Sequence, residues 1–518
     1  MQVGSGALRI SDSVQFQKPT NLHGLNATIV DVAIDDTRKS IFTESFVPWK
    51  FYERGSDFAP SSNLQSINKI ELAIQQSNAT KEGAYFLSVS SNGQVKITAS
   101  TAIGLRYGLN TFSQLFYKDY YGALYMNKAP VTIVDAPKFE HRGLMLDVAR
   151  TWYPISFIEK TIDGLAFNKM NKLHLHATDS QSWPLEIPSL PEISARGRYC
   201  PTCEYTAADF EQIQEYAMQR GVDLLLEIDM PSHIASLVYS HASVIGGWNM
   251  YPYYNAAAEP PSGVLNIDEK AATSLIHAIL EDVLPRVQSK YYHSGGDEVQ
   301  LQAFLYDPTL KSSSLDVIKP IMQKFITAVH QQVRSHGKTP FMWHDGLTDF
   351  NLTIGKDVIV QSWDKNSVSL VAALANGNRA IVSPGQEWGA WVEYPASQVS
   401  PSSTFLDYCS PKKSWRYMYM YDPLESTTSE NEHLVIGGES AQWTELTDAA
   451  TAEGSIWPRT SVVGEVLWSG NRVNGQLRDL TTVSPRLAEM RERLVAMGIN
   501  AEALHMPFCT QDNKQCLV

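Results

Sequence analysis

Two adjacent acids, Asp297 and Glu298, close the stretch Tyr291-Tyr292-His293-Ser294-Gly295-Gly296. An apolar, aromatic strand thus runs into two glycines and then into paired carboxyls. Neighbouring carboxylates repel, which pushes one pKa up. A raised carboxyl beside an ionised one is what acid/base work at a glycosidic bond requires. The glycines allow a sharp turn and leave room for a ligand. The competing reading is a solvated Asp-Glu pair at a helix start, where acids are favoured.

Such a pair needs a scaffold, and the chain beyond Ala136-Pro137-Lys138 reads as one. Strand-like runs fall at 143–146, 172–176, 223–228, 291–293, 339–343, 358–362, 379–383 and 435–438. Helical patterns at 155–168, 207–220, 269–288, 317–336 and 367–375 separate most of them. Eight strands alternating with helices predict an α/β fold, a (β/α)8 TIM barrel over 138–518. A doubly wound open sheet is the alternative, but no Gly-rich phosphate loop follows the first strand. Residues 1–137 read as a smaller α+β domain. Runs at 84–89 and 94–99 flank Asn92-Gly93, a hairpin signal. Ser100-Thr101 precedes a helical run from 102 to 116. Apolar stretches at 27–34 and 70–74 are expected to complete the sheet.

Barrel enzymes gather their chemistry at the C-terminal ends of strands. Those positions hold Asp147, then His174, His176 and Asp179, then Glu227, Asp229 and His233. Asp297 and Glu298 follow the fourth strand. Trp343, His344 and Asp345 follow the fifth, Trp363 and Asp364 the sixth, and Glu439, Trp443 and Glu445 the eighth. His174 and His176 face one side of their strand. With Asp179 and Asp229 they could hold a metal; the other reading is satisfied polar packing beneath the site.

Composition narrows the partners. A formal net charge of -13 argues against nucleic acid or an anionic membrane. No apolar run approaches the roughly 18–20 residues of a membrane span. The 12 Trp and 23 Tyr suit aromatic-lined sugar sites as well as core packing. No leader stands at Met1, so the chain is cytoplasmic or a mature form. The cysteines favour the second: Cys509 and Cys516 flank a turn-like tail that a disulfide could staple, while Cys200 and Cys203 form a local disulfide or two thiols. Asn26, Asn78 and Asn351 begin glycosylation patterns. A secreted or lumenal compartment, lysosome- or vacuole-like, is expected.

The barrel region resembles the β-N-acetylhexosaminidases of glycoside hydrolase family 20, eukaryotic type. The resemblance rests on His141-Arg142-Gly143, Phe167 to His176, and Glu227-Ile228-Asp229-Met230-Pro231-Ser232-His233. Gly295-Gly296-Asp297-Glu298, Gly437-Gly438-Glu439 with Trp443 and Glu445, Trp457-Pro458-Arg459 and Trp468-Ser469 complete it. The N-terminal unit resembles the companion domain of that family through residues 100–115. The resemblance implies removal of terminal β-linked N-acetylglucosamine or N-acetylgalactosamine, from chitooligosaccharides or glycoconjugate glycans. It implies a substrate-assisted retaining mechanism, in which the 2-acetamido carbonyl attacks the anomeric carbon. Glu298 would be acid and then base, and Asp297 would orient the acetamido group and stabilise the oxazolinium ion. His233 and Asp229 match a hydrogen-bond relay to the acid. Arg142 and Glu445, with Asp179 nearby, match residues holding the sugar hydroxyls. Trp343, Trp363 and Trp443 match the aromatic walls. No metal or organic cofactor is implied, and a homodimer is left open.

Several positions depart from the family pattern. After the seventh strand the family carries Tyr-Leu-Asp, whose Tyr donates to the acetamido oxygen; here stands Ser383-Pro384-Gly385-Gln386-Glu387-Trp388-Gly389-Ala390-Trp391. Tyr394 or another residue of the 384–433 insertion is the expected substitute. Thr151 follows Arg150 where the family often has histidine. Two alternatives stay open on these departures. One is a retaining enzyme with Glu445 or Asp345 as nucleophile. The other is a sugar-binding protein, or an enzyme shifted to a decorated sugar or to transglycosylation.

Overall fold

A computed structural model of the chain describes residues 1–56, 60, 64–75, 81–364, 368–389, 412–511 and 516. Its first unit is a six-stranded sheet built from β1 (Gln2–Gln17), β2 (Ser66–Ile74), β3 (Tyr85–Val89), β4 (Val95–Ala99), β5 (Tyr117–Lys118) and β6 (Leu124–Asp135). The order is β1-β2-β4-β3-β6-β5, with β1 also paired to β6. Tyr85, Leu87 and Val89 on β3 and Val95, Ile97 and Ala99 on β4 are buried at every second position, as a sheet with one covered face requires. Two helices provide the cover, α1 (Leu25–Arg38) and α2 (Ala102–Ser113). The Thr101 side chain caps α2 by accepting from the Gly104 N–H.

One expectation fails here. Residues 27–34 are helical, not a strand. Ile29, Val30, Ala33, Ile34 and Thr37 are buried along α1, and that spacing marks one helix face. The strand that fills the sheet is β1, whose outward positions hide its pattern: only Leu8, Ile10 and Val14 are buried.

The second unit is a closed barrel of eight parallel strands: β7 (His141–Asp147), β8 (Lys172–His176), β9 (Asp223–Glu227), β12 (Tyr291–His293), β13 (Thr339–Trp343), β14 (Ile359–Ser362), β15 (Ala380–Val382) and β16 (Val435–Gln442). Between the third and fourth barrel strands a loop carries a short ribbon of β10 (Ile245–Gly246) and β11 (Val264–Leu265). Alternation sorts each barrel strand into two faces. Leu144, Leu146, Leu173, Leu175, Leu224 and Leu226 point outward into the large core under the helices. Inward-pointing Leu225, Tyr291, Phe341, Ile359 and Ile381 form a separate apolar floor. Above the floor the lumen turns polar, with His174, Glu227, His293, Gln361 and Glu439 all buried.

The sheet ends at Asp135 and the barrel begins at His141, on either side of Ala136-Pro137-Lys138. The two units are joined by packing: Trp468 of the barrel sits in the N-terminal core, and its indole N–H donates to Asp135 at 3.0 Å. Among the described residues no helix is long and apolar enough to cross a membrane.

Candidate active site

The chain leaves β12 through Gly295, whose φ is +66° and whose would-be Cβ lies 1.7 Å from Asp229 Oδ1. No side chain fits there. The space goes instead to the Gly296 N–H, which donates to Asp229 Oδ1 at 2.7 Å. This tight turn delivers Asp297 inward and Glu298 to the rim. The Glu298 N–H donates to Asp345 Oδ1 at 3.0 Å, so the fifth strand end fixes the acid of the fourth.

The two acids meet different surroundings. The Asp297 side chain is buried, and its Oδ1 has no partner. Burial, and then the Asp229 carboxyl beside it, push Asp297 well above the usual carboxylate range. Asp229 is itself pushed up to about 7, chiefly by burial. The Glu298 side chain is 35% exposed and lies 3.4 Å from His233 Nε2. His233 Nδ1 faces Asp179 at 3.2 Å. Burial opposes charge on His233, but Asp179 and then Asp297 outweigh it and raise its pKa well above 6.5.

The relay partner of His233 is therefore Asp179. Asp229, expected in that role, turns its Oδ1 to the Gly296 N–H instead. Asp179, expected among the sugar-hydroxyl residues, is wholly buried between His176, His233 and Arg150. Burial disfavours its charge, yet Arg150, His233 and His176 hold its pKa well below the ordinary value.

Arg142 is at the wrong end of the barrel for a sugar. It opens β7, and its guanidinium donates to the carbonyls of Phe139 at 2.8 Å and Lys169 at 3.0 Å and to the Tyr107 hydroxyl at 2.9 Å. The strand rises roughly 16 Å from there to Asp147. The arginine at the functional end is Arg150. Asp147 Oδ1 accepts from the N–H groups of Ala149 and Arg150, folding the turn that brings it in. The guanidinium stacks over Trp443 with 4.8 Å to the centroid, 3.0 Å from Asp179 and 2.5 Å from Glu259. Glu259 comes from the loop that carries β10 and β11, and no feature of its neighbourhood in the sequence pointed to it. Glu445 stands beside this cluster with Oε2 enclosed and unpartnered. Burial and then Glu259 push its pKa well above the ordinary range.

The three expected tryptophans gather here. Trp343 and Trp443 lie with ring centroids 6.1 Å apart. The Trp343 indole N–H donates to Glu227 Oε1 at 2.7 Å, and that of Trp363 to Asp345 Oδ2 at 2.9 Å. Asp345 thus holds both Glu298 and Trp363 in place, which leaves it an anchor rather than a nucleophile. Both nitrogens of His174 and of His176 lie within 3.1 Å of carboxylate oxygens, the arrangement of satisfied polar packing rather than of open metal ligands.

After β15, Trp388 turns into the core against Tyr421, with ring centroids 5.1 Å apart. Trp391, Tyr394 and Cys409 lie outside the described residues. Cys200–Cys203 and Cys509–Cys516 are both disulfides. Asn26 and Asn351 are exposed; Asn78 lies outside the described residues.

Comparison with known proteins agrees with this geometry. The family described as "Glycosyl hydrolase family 20, catalytic domain" matches residues 139–471, and "beta-acetyl hexosaminidase like" matches residues 1–115. A beta-hexosaminidase of Arthroderma benhamiae is 35% identical over 515 residues, covering 94% of this chain and 84% of its own. Human beta-hexosaminidase subunit beta is 29% identical over 510 residues, covering 96% and 85%. The solved structure of a beta-N-acetylhexosaminidase from Streptomyces coelicolor superposes with a TM-score of 0.74 at 25% identity, covering 96% and 95%. Strand order, the paired acids and these matches agree: the chain belongs to glycosyl hydrolase family 20.

Proposed function

We propose that the protein is an exo-acting, retaining β-N-acetylhexosaminidase that removes terminal N-acetylglucosamine or N-acetylgalactosamine with the help of the substrate's own acetamido group. The observation that carries this is the division between the paired acids: Asp297 is buried with one oxygen unpartnered, and Glu298 reaches the rim on His233. The acetamido carbonyl oxygen attacks the anomeric carbon. The glycosidic bond breaks, and Glu298 gives its proton to the departing oxygen. Asp297 accepts from the acetamide N–H and faces the positive oxazolinium ion. Glu298 then takes a proton from water as the water opens the ring. Acid/base help of this kind contributes on the order of 10²–10⁴ in rate. Trp343, Trp363 and Trp443 enclose the sugar's apolar faces. Arg150, stacked on Trp443, and Glu445, with Oε2 unpartnered beside it, hold its hydroxyls.

Chitooligosaccharides and glycoconjugate glycans fit such a pocket. Two disulfides and the exposed Asn26 and Asn351 support a secreted or lumenal compartment. The test is cleavage of an aryl β-N-acetylglucosaminide against the plain aryl β-glucoside, with a thiazoline mimic of the oxazoline as inhibitor. Only the acetamido sugar is cleaved, and the thiazoline blocks it. Equal cleavage of both sugars, or indifference to the thiazoline, overturns the mechanism. Glu298→Gln loses far more activity on poor leaving groups than on good ones.

A further inference from the structure

From floor to rim the lumen holds one unbroken file of alternating rings and carboxylates. His141 Nε2 lies 2.6 Å from Glu439 Oε1, and Glu439 Oε2 lies 2.9 Å from His174 Nδ1. His174 Nε2 is 3.1 Å from Glu227 Oε2, which is 2.6 Å from His176 Nδ1. His176 Nε2 is 3.0 Å from Asp179 Oδ2, and Asp179 leads through His233 to Glu298. Every member below Glu298 is buried. The file ends on its one partly wet group.

We propose that Glu227 is a positioning residue that serves both halves of the reaction. Through Oε2, His176, Asp179 and His233 it fixes the seat of Glu298. Through Oε1 it holds the indole N–H of Trp343, and with it the acetamido wall. The proposal rests on the hexosaminidase mechanism above. A carboxylate sealed from water persists only where donors surround it. Glu227 has them from two strands: His174 and His176 on β8 and the Trp343 indole on β13; His293 Nδ1 on β12 lies 3.0 Å from Oε1 but accepts from the Gly295 N–H. Further groups face the file from β14, where Gln361 donates to Glu439 at 3.2 Å, and from Arg150, 3.0 Å from Asp179.

The charges along the file support one another. Burial opposes ionisation throughout. Yet Glu439 and Glu227 raise His174 to about 9, and Glu227 with Asp179 raises His176 to about 10. The histidines in turn hold Glu227 well below its ordinary value. A ring held on both nitrogens cannot rotate, so each link fixes the next up to His233. No net proton moves along the file.

Glu227→Gln keeps the shape and removes the charge. The wild-type leaving-group series and thiazoline inhibition test the mechanism on their own, before any variant is made. If they hold, Glu227→Gln lowers kcat/KM for a poor leaving group at least about tenfold more than for a good one, and weakens the thiazoline. Loss of the charge on His176, which stands closer to Glu298 along the file, moves the alkaline limb of kcat/KM upward in pH. A purely structural Glu227 lowers stability and leaves the leaving-group dependence, the pH profile and the inhibitor affinity as they were; that result overturns the proposal.

Should Glu227→Gln not fold, three variants decide instead. His176→Gln keeps an N–H towards Asp179, and His176→Asn keeps one towards Glu227. The glutamine retains more of the acid assistance, and equal loss in both overturns the arm to Glu298. Trp343→Phe removes the indole N–H of the other arm together with part of the wall that it holds. It weakens the thiazoline at unchanged leaving-group dependence, and unchanged affinity overturns that arm.

Discussion

Arg142 at the start of one barrel strand and Arg150 just beyond its end, eight positions apart, have opposite surroundings. Both side chains are buried, and both stack on a tryptophan, Trp468 for one and Trp443 for the other. Arg142 is surrounded by carbonyl oxygens and a phenol. Arg150 is surrounded by carboxylates: Asp147, Asp179 and Glu259, with Glu445 close by. Neutral acceptors satisfy a guanidinium without storing charge, so Arg142 joins two units and does nothing more. Around Arg150 the Glu259 and Glu445 carboxyls have pKa values raised by burial, and such perturbed groups gathered in one place mark a candidate ligand site. The unpartnered Oε2 of Glu445 belongs to the same end of the barrel, whereas the Arg142 guanidinium ends on backbone carbonyls and a phenol.

The largest break in this comparison comes from Arg150→Lys. The charge stays, and the planar fork that can serve Asp179, Glu259 and a sugar hydroxyl together is lost. A hydrogen bond to a charged group is worth about 1.5–3 kcal/mol, so kcat/KM falls roughly 10- to 100-fold, mostly in KM. Steady-state kinetics on an aryl N-acetylglucosaminide measures it. A change below twofold would place Arg150 with Arg142 as a structural residue.

A subtler contrast separates Asp229 and Asp297. Burial pushes Asp229 up to about 7, and Asp229 in turn helps to push Asp297 well above the ordinary range. Groups with raised carboxyl pKa values bind a proton as pH falls, and Asp297 must accept the acetamide N–H. The acid limb of kcat/KM therefore lies above the usual carboxylate range. Asp229→Asn keeps an oxygen for the Gly296 N–H and removes the neighbouring charge, so Asp297 titrates lower and the limb moves to lower pH. A limb that stays in place in the variant would show that the two carboxyls titrate independently.

The uneven legibility of the sequence follows from the same distinctions. The barrel strands stand in the sequence because their outward leucines alternate with inward polar residues, as in Leu173-His174-Leu175-His176. Asp297, Glu298 and the three tryptophans stand at strand ends, which periodicity locates. Arg142 was misplaced because a motif match carries no strand direction: the residue stands at the start of β7, and the chemistry gathers beyond its end. Arg150 stays hidden because only the turn folded by Asp147 brings it inward. Asp229 was paired with His233 by the motif match alone, and Asp179, which faces His233 Nδ1, comes from another strand end. Glu259 enters from a loop whose position depends on tertiary packing alone. The helix at 27–34 was obscured by a β-branched run, Thr28-Ile29-Val30, whose strand preference packing overrode.

Arg142→Lys sharpens the comparison from its quiet side and carries the smallest expected effect on turnover. The ammonium cannot reach Phe139, Lys169 and Tyr107 together, and the lost fork leaves buried carbonyls short of a donor. Each such loss costs about 1–3 kcal/mol, so thermal inactivation quickens clearly. The acids, the relay and the tryptophans lie at the far end of the barrel and keep their places. Initial rates at a temperature where both proteins are folded should therefore agree within about twofold, and the pH profile should not shift. A KM that rises as it does in Arg150→Lys would mean that Arg142 acts at the sugar after all, and that the direction of β7 does not decide which arginine binds.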